Sequence, residues 1–235
     1  MNALAGSAIA TAAFGGVVAS GIFDPRSPLF GRVIGRGPRR ERVLYLTFDD
    51  GPNPSATGTI LEALSAARVP AAFFQVGGHA RRFPSLARAV ADAGHEIGNH
   101  TQHHRKLYYR SPRYIEEELR RAHDSLVEAT GVAPRTFRAP HGLRNPFVHA
   151  SAERLGYDVV AWTFGVWDHE QPPADEIRRR VRVKLRPGAI VLLHDGDGYD
   201  AGADRSRTAA AVAGVIADAR DAGYSFRPLS ELLSR

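Results

Sequence analysis

The amino-acid sequence predicts an α/β fold built on a parallel sheet, either doubly wound or closed as a barrel. Short runs rich in β-branched and aromatic residues alternate with longer stretches of helical periodicity, a pattern typical of strand–helix–strand units. Several helical stretches also end at a glycine, which readily adopts the left-handed conformation of a helix C-terminus. These glycines are Gly94, Gly131, Gly156 and Gly223.

Seven runs are predicted strands, and helices are predicted between most of them. The strands are expected at residues 43–48, 71–76, 95–98, 136–139, 158–164, 189–194 and 224–229. The helices are expected at residues 56–68, 84–94, 112–131, 146–156, 174–185 and 207–223. The first strand ends at Gly51, Pro52 and Pro54, residues that stop a strand and form a turn.

The length and composition indicate one large domain. A chain of 235 residues with 43% apolar residues can bury a sizeable core. We divide it into an apolar and then basic N-terminal segment, residues 1–42, and a folded domain, residues 43–235. Cysteine is absent from the sequence, which excludes disulfides and thiolate metal ligands.

The chain is basic, with a net charge of +6 and a pI near 10.0. All but two of its 31 basic residues, Lys106 and Lys184, are arginine. The densest basic stretch, residues 178–186, lies in a predicted helix without interleaved aromatic residues. We interpret it as a solvated helix face, and no nucleic-acid partner is expected. A positive surface also suits an anionic cell-envelope polymer or a membrane.

Residues 2–23 carry no charged side chain and are long enough to span a bilayer or to serve as a signal segment. No basic residue precedes them, and six arginines follow within residues 24–42. We expect membrane association or a cell-envelope location. The charge pattern also allows a domain on the cytoplasmic face, and a tail that only packs or frays is the other alternative. Membrane fractionation with protease accessibility tests this expectation.

Polar residues stand at or just after the ends of five predicted strands. They are Asp49, Asp50, His100, Arg138, Asp168 and His194. In a (β/α) barrel the carboxyl ends of all strands open on one face, where active sites are built. The sequence therefore predicts that these side chains converge on one site.

His100 and His104 are four residues apart, so a single helical turn would direct both imidazoles at one point. Two imidazoles and one aspartate make a three-ligand metal site with room for water or substrate. Taken alone, the pair also fits surface or capping histidines. The TFDDGP sequence at the end of the first predicted strand, residues 47–52, supplies the aspartate and favours the metal site.

Five motifs resemble, in order, those of the polysaccharide deacetylase family, also called the NodB homology domain or carbohydrate esterase family 4. They are TFDDGP (47–52), HTQHH (100–104), RAPHG (138–142), WTFGVWD (162–168) and LLH (192–194). The resemblance runs from about residue 43 to the C-terminus. It implies a distorted (β/α) barrel of about seven parallel strands and removal of N-acetyl groups from amino sugars.

The resemblance assigns the paired aspartates different roles. Asp50, His100 and His104 would hold a divalent metal, zinc above all, with cobalt or nickel also suited to these ligands. Asp49 would be the general base that takes a proton from the attacking water. The cation offsets the repulsion between adjacent carboxylates, and Gly51 eases the turn that lets both converge.

The resemblance also implies the other catalytic roles. His194 would protonate the departing amine, Asp168 would orient His194, and Arg138 would hold Asp49 ionised. Each of these residues also has a purely structural alternative. His194 could be a hydrogen-bonded turn histidine, Asp168 a residue at the start of a helix, and Arg138 an exposed loop arginine.

The predicted substrate-binding residues are Pro140, His141, Leu192 and Trp167. Leu192 would line the pocket for the acetyl methyl group, and the backbone N–H of His141 would stabilise the oxyanion. His141 stands where the family often has an aromatic residue, and Trp167 precedes Asp168 where the family usually has Asp-Trp. The acidic, glycine-rich loop at residues 194–205 either covers the site or is solvated.

Three other functions fit parts of this pattern. The same site could deacylate a lipid-linked or small acylated sugar. An Fe(II) oxygenase also uses two histidines and a carboxylate, but it is normally an antiparallel barrel and leaves the second aspartate unexplained. A non-catalytic carbohydrate-binding domain on the same fold is disfavoured by the intact base, ligands and acid.

Overall fold

The computed structural model describes residues 16–233, which form a parallel sheet covered by helices. The strands are β1 (Val43–Asp49), β2 (Ala71–Gln75), β3 (Glu96–Asn99), β4 (Thr136–Phe137), β5 (Asp158–Val159), β6 (Phe164–Gly165), β7 (Ala189–His194) and β8 (Ser225–Phe226). The helices are α1 (Thr57–Ala67), α2 (Gly77–Arg82), α3 (Pro84–Asp92), α4 (Pro112–Thr130), α5 (Pro146–Arg154), α6 (Ala174–Arg182) and α7 (Ser206–Asp221).

Short 3₁₀ helices supplement these elements. They span Pro28–Phe30, Pro140–Gly142, Asp168–Glu170 and Leu229–Leu232. The four glycines predicted to end helices all have positive φ, between 73° and 79°, so these helix ends are confirmed. Ser111 caps α4 by accepting a hydrogen bond from the backbone N–H of Tyr114.

The strand order is β5-β4-β3-β2-β1-β7-β6, with β8 paired to β1, and every pair is parallel. The seven-strand path curls into a half-barrel. Every residue of the central strand β1 is buried, as expected where both faces of a parallel sheet are covered. Parallel strands bring their carboxyl ends together, so the predicted site residues lie at one end of the half-barrel.

Alternation along β1 decides which side chains enter the barrel. Leu44, Leu46 and Phe48 pack outward against the helices, and the Phe48 ring stacks on Phe73 at 4.9 Å. Val43 and Tyr45 pack into the separate inner cluster. Because side chains repeat every two residues, Asp49 continues the inner series and points into the barrel.

The single strand predicted at residues 158–164 is wrong. The structure divides it into β5 and β6, which lie at opposite ends of the strand path. Residues 160–163 cross between these ends: Val160 pairs with Ile34, and the Thr163 N–H donates to the Ile190 carbonyl at 2.8 Å. Composition alone did not show this break, because β-branched and aromatic residues continue through the crossing without glycine or proline.

Helix α2 was also missed by the sequence reasoning, because two glycines begin it. The backbone needs glycine there: a Cβ on Gly77 would lie 2.4 Å from Gln102 Oε1 and 2.8 Å from the Ala122 Cα. Close packing of α2 against α4 therefore selects a residue that weakens the helical pattern in the sequence.

Most of the apolar stretch at residues 2–23 lies outside the described residues. Within residues 16–233, no helix has the length and hydrophobicity needed to cross a membrane. Part of the basic segment packs on the barrel, since the Gly37 N–H donates to the Gly188 carbonyl at 2.8 Å and the buried Arg144 Nη2 to the Ser27 carbonyl at 2.7 Å. The domain division at residue 43 stays a prediction.

Candidate active site

A cavity of about 500 Å³ opens at the carboxyl ends of the strands. Eight of the predicted site residues line it: Asp49, Asp50, His100, His104, His141, Trp167, Leu192 and His194. Asp49 and His194 are register partners on the adjacent strands β1 and β7. The sheet thus brings the predicted base and acid side by side.

Asp49 forms a buried ion pair with Arg138, which is fully buried. Arg138 Nη1 donates to Asp49 Oδ1 at 2.6 Å and to Thr47 Oγ1 at 3.0 Å. Its Nη2 donates to the Ala161 carbonyl at 3.0 Å, and its guanidinium stacks 4.0 Å above the Phe74 ring. The predicted contact between Arg138 and Asp49 is therefore present, and it leaves Asp49 Oδ2 directed toward His100 Nε2, 3.8 Å away.

Asp50, His100 and His104 form a compact buried cluster. Asp50 Oδ1 lies 3.2 Å from His100 Nε2 and 3.0 Å from His104 Nε2. One potential ligand atom from each of the three residues lies within 4.8 Å of the others. The second ring nitrogen of His100 fixes the orientation of the imidazole, since Nδ1 lies 2.8 Å from the Arg138 carbonyl oxygen.

The helical turn predicted between His100 and His104 is wrong. Residues 100–106 are irregular, and Thr101 and His104 have left-handed backbones with φ of 67° and 53°. Thr101 Oγ1 accepts a hydrogen bond from the His104 N–H at 3.0 Å and stabilises this turn. The imidazoles still meet, with ring centroids 5.0 Å apart, because the two left-handed residues reverse the chain.

The turn at the paired aspartates differs from the expectation as well. Asp50 itself adopts the left-handed conformation, with φ of 75°, so the side chains of Asp49 and Asp50 both reach the cavity. Gly51 has another role: a Cβ there would lie 2.0 Å from Asp195 Oδ2. Glycine at this position allows the β1 end to pack against the residue that follows His194.

The cluster fits a divalent cation. Asp50 Oδ1 is buried, and no hydrogen-bond donor within residues 16–233 satisfies it apart from the two imidazole edges. Burial would raise the pKa of Asp50, but the facing His104 and His100 imidazoles outweigh burial and lower that pKa well below its usual range. An ionised carboxylate and two imidazole nitrogens at one point are the donors that borderline first-row cations prefer.

His194 and Asp168 form the second functional pair. Asp168 is fully buried; its Oδ1 lies 2.9 Å from His194 Nδ1, and its Oδ2 accepts from the His194 backbone N–H at 2.7 Å. Burial alone would lower the pKa of His194, but the charge and hydrogen bond of Asp168 raise that pKa to about 9. His194 is therefore protonated at neutral pH, as a proton donor must be.

Asp168→Asn should shift the alkaline limb of the kcat–pH profile to lower pH. The acid form of His194 is lost as pH rises through its pKa, and removing a contacting carboxylate lowers an imidazole pKa by about 1 to 3 units. We expect kcat at pH 8 to fall about tenfold, with a smaller loss at pH 6. Asp92→Asn, on an exposed helix end, is the control. If the alkaline limb lies at the same pH in Asp168→Asn and in wild type, Asp168 does not set the pKa of His194.

Three of the four predicted substrate-binding residues line the cavity, and the fourth does not. Leu192, His141 and Trp167 line the cavity, and Trp167 is 61% exposed at its rim. Pro140 is buried and begins a 3₁₀ turn, and it is not among the lining residues. It orients the backbone at His141, whose φ is 58°.

The acidic loop at residues 194–205 forms one wall of the cavity. Tyr199 on this loop contacts His141, with its hydroxyl 2.8 Å from His141 Nε2, and its ring lies 5.2 Å from the His104 ring. Asp197 shapes the loop by accepting from the Tyr199 N–H at 2.9 Å and from Arg205 Nη2 at 2.6 Å. The loop therefore borders the cavity, while its Tyr199 and Asp200 side chains are exposed to solvent.

Gly198→Ala should disturb the His104 imidazole. A Cβ on Gly198 would lie 1.9 Å from His104 Nδ1, so either the loop or the ring must move. We expect metal affinity to weaken about tenfold or more, as for other changes that misorient a ligand. Gly202→Ala, whose Cβ meets only Asp200 Oδ1 at 3.6 Å, is the matched control. Equal metal affinity in both variants would contradict this packing argument.

Sequence reasoning missed Asp195, a buried residue that contacts the backbone of Asp49. It is fully buried, its Oδ2 accepts from Thr57 Oγ1 at 2.6 Å, and its N–H donates to the Asp49 carbonyl at 3.1 Å. Burial raises the pKa of Asp195 to about 7 despite the Thr57 hydrogen bond. The only available signal was its position directly after His194, which the surrounding acidic residues of the loop obscured.

Comparison with known proteins agrees with this architecture. The polysaccharide deacetylase family profile matches residues 36–160. A chitooligosaccharide deacetylase of Bradyrhizobium sp. (strain ANU 289) is 38% identical over 200 residues, covering 81% of this chain and 90% of the relative. A peptidoglycan-N-acetylglucosamine deacetylase of Bacillus cereus (strain ATCC 14579) is 36% identical over 205 residues, covering 86% and 93%.

A solved structure shows the same fold. The wild-type CE4 family pseudoenzyme BA3943 from Bacillus anthracis aligns with a TM-score of 0.78 at 28% identity, covering 88% of this chain and 70% of that one. Fold and site together thus define a (β/α)-barrel hydrolase with a candidate metal centre. The chain belongs to the polysaccharide deacetylase family, carbohydrate esterase family 4. The predicted fold class, family and hydrolase type are confirmed.

Proposed function

We propose that the protein is a metal-dependent deacetylase that hydrolyses the N-acetyl groups of N-acetylglucosamine units in a cell-envelope glycan. One observation carries the proposal: the Asp49–Arg138 pair, the Asp50–His100–His104 cluster and the His194–Asp168 pair surround a single cavity. The named relatives act on chitooligosaccharides and peptidoglycan, which share this sugar.

Asp50, His100 and His104 would hold the cation, for which we propose zinc because two imidazoles and a carboxylate leave an open coordination position. A divalent cation bound there supplies Lewis acidity that polarises a carbonyl and makes water a better nucleophile. Cobalt or nickel would suit the same nitrogen and oxygen donors.

The side chains then divide the proton transfers between them. Asp49 accepts a proton from the attacking water, and Arg138 holds the Asp49 carboxylate in position through the 2.6 Å hydrogen bond. His194 gives its proton to the amine nitrogen as the carbon–nitrogen bond breaks, and Asp168 stabilises the imidazolium until then. Leu192 and Trp167 form apolar cavity walls suited to an acetyl methyl group and a sugar face.

The Bacillus anthracis relative is a pseudoenzyme, so the fold by itself does not establish catalysis. In this chain the base, the three candidate ligands and the acid are all present and face the same cavity. This complete set supports a catalytic role over carbohydrate binding alone.

Acetate release tests the proposal. The purified protein, supplied with Zn²⁺ or Co²⁺, should release acetate from N-acetylglucosamine oligomers or peptidoglycan fragments, and a chelator should abolish the release. A lipid-linked acetamido sugar is included because the same site could accept it. Protein that holds metal but releases no acetate from any of the three substrates would overturn the proposal.

A further inference from the structure

A second cleft, of about 440 Å³, lies at the amino ends of β6 and β7. Four arginines line it together with the uncharged residues Val33, Gly35 and Thr163; the arginines are Arg26, Arg36, Arg39 and Arg186. Strand β7 runs from this end to His194 at the active site, a rise of roughly 16 Å at 3.3 Å per residue. The cleft is therefore separate from the active-site cavity.

The walls of the cleft are held together by backbone contacts. The Gly37 N–H donates to the Gly188 carbonyl at 2.8 Å. Gly188 has a φ of 71°, and a Cβ there would lie 2.4 Å from the Pro38 carbonyl oxygen. The segment that carries Arg36 and Arg39 thus packs directly on the turn that follows Arg186, so the backbones that carry these arginines keep a defined spacing.

Backbone carbonyls orient two of the guanidinium groups. Arg36 donates to the Pro187 carbonyl from Nε at 3.1 Å and from Nη2 at 2.8 Å. Arg186 Nη2 donates to the Thr163 carbonyl at 2.7 Å, and its guanidinium lies 5.5 Å above the Phe164 ring. A carbonyl group positions a guanidinium but does not neutralise its charge.

The positive charge of the cleft is largely uncompensated. No carboxylate is among its lining residues, and Arg26 pairs with Asp24 only in a solvent-exposed contact at 3.4 Å. Arg39 makes no hydrogen bond or ion pair with residues 16–233, and Arg186 Nε is buried without an acceptor in that range. Partial burial, followed by the charges of Arg39 and Arg186, lowers the pKa of Arg36, as crowded like charges do.

We propose that this arginine cleft binds a phosphate group, carried either by an anionic envelope polymer or by a phospholipid headgroup. Planar guanidinium groups match phosphate oxygens in geometry, and two of the four arginines are already oriented by backbone carbonyls. A phosphate bound here would hold the protein on a phosphate-bearing surface with the active-site mouth at the opposite end of the strands. The proposal does not depend on the deacetylase activity.

Titration calorimetry of the intact protein with inorganic phosphate, at constant ionic strength, tests the site. Arg39→Gln should weaken phosphate binding about tenfold, the effect of losing one charge-assisted hydrogen bond. Arg113→Gln is the matched control, since Arg113 is exposed on α4 far along the sequence from the cleft. Chloride at the same ionic strength should not bind measurably.

Several results would overturn the proposal. They are no phosphate binding by wild type, equal weakening in the Arg39 and Arg113 variants, or chloride binding as tight as phosphate. Arg186→Gln provides a second variant inside the cleft and should weaken binding at least as much as Arg39→Gln. Phosphatidylglycerol vesicles and soluble poly(glycerol phosphate), each compared between wild type and Arg39→Gln, then distinguish the lipid from the polymer source.

Discussion

Asp49→Asn should abolish nearly all turnover while the protein still binds its metal. The amide keeps the size of the side chain but cannot accept a proton, so kcat should fall about 10³-fold, within the range measured for general bases. The metal-to-protein ratio should stay at the wild-type value, because Asp50, His100 and His104 are unchanged. Kinetics on a glycan that the wild type deacetylates, together with metal analysis, measure both effects.

The same substitution should also lower stability. Arg138 is fully buried and would lose its ionic partner, a change that typically costs about 3–5 kcal/mol. Thermal unfolding therefore has to be measured alongside activity, and kinetics run well below the lowered midpoint. Asp92→Asn serves again as the exposed control. A variant that is folded, loaded with metal and still has more than about a tenth of wild-type kcat would exclude Asp49 as the base.

Asp50→Ala should lose both the metal and the activity, whereas Asp49→Asn should lose the activity alone. Removing a residue that only supports a ligand already costs about 10- to 100-fold in affinity, so removing a ligand should cost more than about 100-fold. Equilibrium dialysis followed by metal analysis measures this change. Asp50→Asn, which keeps one oxygen donor, should retain more metal than Asp50→Ala.

The two aspartate variants are controls for each other. Metal retained in Asp49→Asn and lost in Asp50→Ala would separate the two neighbouring carboxylates into base and ligand. Full metal occupancy in Asp50→Ala would refute the ligand assignment, because the remaining imidazoles would then be sufficient or the metal would lie elsewhere.

Local patterns explain why much of the fold could be predicted from the sequence. Strand β1 is an unbroken apolar run because both faces of the sheet are covered there, and helix ends at glycine need a left-handed residue that other side chains disfavour. The site residues stood out because charged groups at the ends of buried strands are costly unless they are partnered. These features depend on neighbours in sequence, so a single sequence reveals them.

The errors share a different cause. The strand predicted at 158–164 is broken where the chain crosses between the two ends of the sheet, and the predicted turn between His100 and His104 is irregular. Both depend on contacts with residues far away in sequence. Ile34 and Ile190 hold the crossing, and Gly198 closes on the His104 ring.

The sequence by itself determined the class of the protein, a parallel (β/α) barrel of this family, and it marked the candidate base, metal ligands and acid by residue type and strand position. Only the tertiary structure decided how they meet. The left-handed backbone of Asp50, the Tyr199 wall, the buried Asp195 and the arginine cleft at the other end of β7 all arise from segments distant in sequence. Packing between such segments sets the backbone angles and the distances between charged groups, and local residue patterns do not contain this information.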